Sequence, residues 1–130
     1  MGKLYQTLGT VTLVNNTGKE LLLTVPDGKI WKIYAVRMHN GDDVARNQLL
    51  KVVDSNSNSL HFLGYVANAT AGNTYEMLSH IPTSPQIRAP FVGGPVLVKG
   101  GNKLSLTWQA GGASSGGTAQ YCVTYEEVAE

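Results

Sequence analysis

Charge is scarce in this chain. Ten basic and nine acidic side chains among 130 residues make 15% of the sequence charged, where about a quarter is usual for a globular domain. The net charge is +1, and the basic residues run from Lys3 to Lys103 without clustering. That spread excludes a phosphate-binding patch, so nucleic acid is not expected as a direct partner. Cysteine is nearly absent: Cys122 stands alone, which rules out a disulfide within the chain. It lies in a strand-like run with no local histidine, so a small half-buried residue is expected rather than a nucleophile. Apolar runs are only a few residues long, far short of a membrane span. No stretch holds the i, i+3, i+4, i+7 spacing of an amphipathic helix, and residues 76 to 80 allow one short turn at most. The start, Met1-Gly2-Lys3-Leu4-Tyr5-Gln6, has no apolar core of a secretory signal. Gln6 stands where myristoylation needs Ser or Thr.

Glycine, serine, threonine and asparagine take the place of charge. A surface of that kind resists association poorly, which favours a subunit of an assembly. Two phrases share one grammar: Val25-Pro26-Asp27-Gly28-Lys29-Ile30-Trp31 and Val98-Lys99-Gly100-Gly101-Asn102-Lys103-Leu104. Each has an apolar residue, a glycine-containing turn, a lysine, then strand residues. In the first, proline is expected to set the first corner and glycine to accept the left-handed one. Strands are predicted over residues 4–14, 21–25, 30–40, 47–54, 60–66, 95–99, 103–109 and 118–128. The last two alternate cleanly, placing Leu104, Leu106 and Trp108 on one face, and Ala119, Tyr121, Val123 and Tyr125 on one face. In the first strand Leu4 and Leu8 share one face and Val11 and Leu13 the other, and this change of apolar parity near Gly9 suggests a β-bulge or a bend between sheets. The strand at 30–40 is apolar on both parities, so a loop, a neighbouring subunit or a bulge must cover one side. The expectation is one domain over residues 1–130, an all-β, single antiparallel β-sandwich. It is jelly-roll-like, with about eight strands.

Residues 67 to 95 break the strand rhythm and hold four of the five prolines. A departure this long reads as an interaction arm. Tyr75, Met77, Leu78, Ile81 and Phe91 are its candidate partner-binding residues. Tyr34 and Met38, on the doubly apolar strand, are the alternative surface. If the arm is free, deleting residues 74 to 84 leaves a folded domain that no longer assembles.

Chemistry-bearing patterns are weak. Asp54-Ser55-Asn56-Ser57-Asn58 opens like a calcium loop, but Ser59 replaces the glycine and Tyr65 the glutamate, so a hairpin turn is expected. His39, His61 and His80 have no metal-ligand partner at local spacing. His39 has Asp42 and Asp43 close in sequence, without a nucleophile. The Gly-Gly pairs precede no helix, so no phosphate loop is implied. No catalytic residues, metal or cofactor are assigned, and the chain is read as a non-enzyme. Trp31 and Trp108 are expected in the core, with a sugar-stacking platform as the rival role, while Tyr5, Tyr65 and Tyr75 are less constrained and are further interface candidates.

The run Leu21-Leu22-Leu23-Thr24-Val25-Pro26-Asp27-Gly28-Lys29-Ile30-Trp31-Lys32-Ile33 resembles a phrase of small β-sandwich virion proteins of tailed bacteriophages. Val98-Lys99-Gly100-Gly101-Asn102-Lys103-Leu104-Ser105-Leu106-Thr107-Trp108 is similar to their penultimate strand. The resemblance implies a capsid decoration or cement protein, or a tail or head-completion part. Its partners would be the major capsid protein, other virion proteins and copies of itself. Its location would be the virion, assembled in the host cytoplasm. The alternatives from other classes are a carbohydrate-binding β-sandwich module and a cupin-like enzyme.

Overall fold

A computed structural model describes residues 4–79, 95–109 and 116–130. These form nine strands: β1 (Leu4–Leu13), β2 (Lys19–Thr24), β3 (Lys29–His39), β4 (Arg46–Val53), β5 (Ser59–Ala69), β6 (Thr74–Ser79), β7 (Val96–Lys99), β8 (Lys103–Trp108) and β9 (Gly117–Ala129). One sheet has the order β1-β9-β3-β6, with β7 also on β3, and the other the order β2-β8-β4-β5. All pairings are antiparallel. The pairs are nested: β1 with β9, β2 with β8, β3 with β7 and β6, β4 with β5. The chain is one long hairpin whose legs cross together from sheet to sheet. That winding is the jelly roll.

The two matched turn phrases meet in space. Val25 N–H donates to Asn102 O at 2.9 Å, and Gly101 N–H donates to Val25 O at 2.9 Å. Each turn carries the chain between the sheets at the same end of the sandwich. Gly28 (φ 77°) and Gly101 (φ 86°) occupy equivalent left-handed corners, a conformation that side chains disfavour. Lys29 N–H bonds Pro26 O at 3.2 Å, so Asp27 and Gly28 are the corners. Proline is the turn's first residue and not its first corner, which corrects the sequence expectation.

The doubly apolar strand is explained by a bulge. Ile33 pairs with Tyr125 and Ala35 with Thr124, leaving Tyr34 as an extra residue on β3. Inward parity therefore switches from Trp31 and Ile33 to Val36 and Met38, all buried. Gly9, by contrast, marks no bulge, because β1 and β9 stay in register from Leu4 to Leu13. A Cβ there would lie 2.5 Å from the Tyr121 hydroxyl opposite. Glycine makes room for that ring, and the parity change is an outward placement of Leu4 and Leu8.

The region read as an arm is corrected most. Thr74–Ser79 is a strand on β3 and no helical turn forms there, with Met77 as an extra bulged residue between Leu78 and Glu76. Tyr75, Met77 and Leu78 are 7%, 0% and 2% exposed, in the core beside Met38 at 0%. They are unavailable at the surface, because β6 closes the sandwich over the second half of β3. Deleting residues 74 to 84 would remove core, contrary to the free-arm expectation. Ser79 pairs with Ala35 and Val96 with Ile33. So β6 and β7 share one edge of β3 end to end. Residues 80–94 come between them in the chain and lie outside the described residues, Ile81 and Phe91 included.

Candidate interaction surface

The residues with chemical potential are spent on structure. Arg46 is 1% exposed at the start of β4. Its Nε donates to Asp42 Oδ2 at 2.6 Å, Nη1 to Thr17 O and Gln109 O at 2.8 and 3.2 Å, and Nη2 to Val14 O at 2.8 Å. One guanidinium thus ties together the β1–β2 turn, the β3–β4 loop and the end of β8. Burial pushes the Asp42 carboxyl up, but the Arg46 hydrogen bond, the Asp43 N–H and the Arg46 charge outweigh it. The net shift is below the ordinary value of 3.8. Asn40 completes the clamp by donating to Val44 O and Ala69 O.

His39, expected near Asp42, instead places Nδ1 2.9 Å from Thr74 Oγ1. Asp54 accepts the N–H groups of Asn56 and Asn58, each at 2.9 Å. Those bonds hold its carboxyl below the usual value and make the segment a turn with Ser57 in the left-handed region. Cys122 is half-buried opposite Leu8. Among the described residues no three His, Cys, Asp or Glu side chains gather to hold a metal ion. No described helix is long and apolar enough to cross a membrane.

Both tryptophans are inside. Trp108 is fully buried and donates to His39 O at 3.2 Å. Trp31 is 7% exposed, stacks on Tyr125 at 4.1 Å and donates to Glu127 Oε1 at 3.0 Å. Tyr34 is half-buried, its hydroxyl 3.4 Å from Glu126 Oε1. Of the candidates on the arm and on β3, Tyr34 alone retains some surface among the described residues, while the other two tyrosine candidates, Tyr5 and Tyr65, are 42% and 44% exposed.

The exposed apolar groups lie elsewhere, on opposite edges of the sandwich. On β1 are Leu4 and Leu8, 61% and 67% exposed, with Tyr5 stacked on Tyr125 at 5.7 Å. Leu8 rims a shallow depression over Arg37, His39, Gln120 and Cys122. On the other edge, β5 presents Leu60, Phe62 and Tyr65, and β7 presents Leu97. Phe62, Pro95 and Leu97 line a second depression there. No family matches. Comparison with family models finds none that fits the chain, and comparison with curated proteins finds no relative. The two edges therefore carry the functional argument themselves. Sequence reasoning named one tyrosine on each, Tyr5 and Tyr65, but missed the apolar groups around them, although Leu4 and Leu8 were visible on the face opposite Val11 and Leu13.

Proposed function

We propose that the chain is a non-enzymatic virion structural protein, a capsid decoration or cement subunit that binds coat proteins. The observation that carries this reading is the pair of exposed apolar patches on opposite edges of a low-charge jelly roll. On the β5–β7 edge Phe62, Pro95 and Leu97 share one depression, and exposed apolar surface that gathers in this way marks protein contact sites. Two patches suit a subunit that bridges neighbours. Jelly rolls are common among capsid and lectin domains, but fold alone does not assign a role. The sequence resemblance to phage virion proteins points the same way. In this reading the chain assembles onto particles in the host cytoplasm, with the major capsid protein as its principal partner.

The test is density-gradient purification of particles from the native host, probed with antibody to this chain. Co-migration with particles and labelling of the shell in electron micrographs support decoration. Labelling of a vertex or tail moves the protein to a head-completion or tail role. Absence from particles refutes the reading. Phe62, 59% exposed, favours one second reading, a carbohydrate-binding module that stacks a sugar on that ring. A glycan-array signal abolished by Phe62→Ala would establish it.

A further inference from the structure

The four sheet edges are not equally protected. Unpaired edge strands invite another strand, and proteins blunt them with charge, proline, bulges or shortness. β2 has six residues and begins with Lys19 and Glu20. β5 slips register three times against β4. The fourth edge is split between β6, which is bulged and carries Glu76, and β7, four residues ending in Lys99. β1 has none of these devices. Its ten residues, LYQTLGTVTL, hold no charge and no proline, and they pair with β9 without a slip. Among the described residues nothing pairs with its outer side. Its outward face carries two of the most exposed leucines of the chain.

We propose that β1 pairs antiparallel with β1 of a second copy, about a two-fold axis at Gln6. In that register residues 4–8 of the two strands pair, and this segment is self-complementary. A two-fold at Gln6 sets Leu4 of each copy directly opposite Leu8 of the other, on the same face. Four leucines then cover one another, and no like charges meet because the strand has none. Moving the axis to Leu8 pairs Leu4 with Thr12 and loses this match. The contact is isologous, so it closes at two copies and does not propagate. Main-chain hydrogen bonds over residues 4–8 add affinity, as in other strand-addition contacts. The two five-stranded sheets become one continuous sheet across the dimer. This proposal stands apart from the virion reading, since it concerns the isolated protein.

Sedimentation velocity on the purified chain tests it. The wild type is expected to be a dimer. Leu8→Lys is expected to weaken it at least about 100-fold, because a charge is buried against an apolar partner. Its melting temperature, extrapolated to the monomer, should match the wild type, since Leu8 is 67% exposed. Phe62→Lys, on the far edge, should leave the dimer intact. In a Cys122→Ser background, Gln6→Cys should give a covalent dimer on mild oxidation, and Thr12→Cys should not. A wild type that is monomeric at its highest soluble concentration overturns the proposal. So does a dimer that survives Leu8→Lys, one broken by Phe62→Lys, or one that cross-links at position 12 instead of 6.

Discussion

Arg46 and Gln48 stand two residues apart on β4, both fully buried and both polar. Arg46 makes four hydrogen bonds, one of which is also its ion pair with Asp42. Gln48 makes none: neither Nε2 nor Oε1 has a partner among the described residues. The first sits where the β1–β2 turn and the end of β8 bring backbone carbonyls, and the β3–β4 loop a carboxylate, to the end of the sandwich. The second faces Trp108 and Val66 across its own sheet, where backbone groups are committed to the ladder. Burial alone therefore does not decide what a polar group contributes. The supply of unpaired partners does, and in a β-sandwich that supply lies at the loop ends.

The comparison is sharpest in Arg46→Met. Removing the guanidinium leaves the Asp42 carboxylate buried with the Asp43 N–H but no countercharge, and takes a donor from the carbonyls of Val14, Thr17 and Gln109. A loss of about 3–5 kcal/mol is expected in a denaturant titration. A loss of less than about 1 kcal/mol would mean that water reaches the cluster. Trp108→Ala tests the packing around Gln48 and should cost about 3–5 kcal/mol by the same measurement. Met77→Ala should cost about 2–5 kcal/mol, where a surface arm would be indifferent. Gln48→Met is expected to have the opposite sign. It exchanges an unsatisfied amide for an apolar chain of similar shape, with a gain of about 1–3 kcal/mol. A loss instead would show that Gln48 has a water partner.

The smallest effect is in pH. Asp42 has its folded pKa below 3.8, so the folded state binds its proton less readily than the unfolded state. Its contribution is complete above the unfolded pKa and is lost as pH falls through the folded one. Thermal melts should therefore weaken below about pH 4, and Arg46→Met should flatten that slope. An unchanged slope would place the acid sensitivity on other carboxylates.

Where side chains alternate without interruption, the sequence was readable. β8 and β9 keep strict alternation, so their inward sets, including Leu104, Leu106, Trp108, Ala119 and Val123, could be named from spacing. The paired turns were legible because left-handed corners select glycine. The bulged strands were not. One extra residue at Tyr34 makes β3 look apolar on both sides, and one at Met77 scatters the core residues of β6 over both parities. A pattern of period two cannot locate a slip that depends on the opposing strand. The Arg46–Asp42 clamp had no signature, since its other partners are carbonyls, which sequence does not distinguish. The exposed edge was half legible. Leu4 and Leu8 were seen to share a face, but only the position of β1 in its sheet shows that this face is open.

The nested winding also governs when the fold can form. β9 lies between β1 and β3, so Leu4 meets Glu126 while Lys32 meets the same residue from the other side. The earliest strand waits for the latest one, and one complete sheet depends on the most distant pairing in sequence. Such a chain closes its loops before contacts reward them, and folding in milliseconds to seconds is the rule for topologies of this kind. Until then the uncharged β1 segment has no neighbour, and two nascent copies at high local concentration have time to find each other's first strand instead.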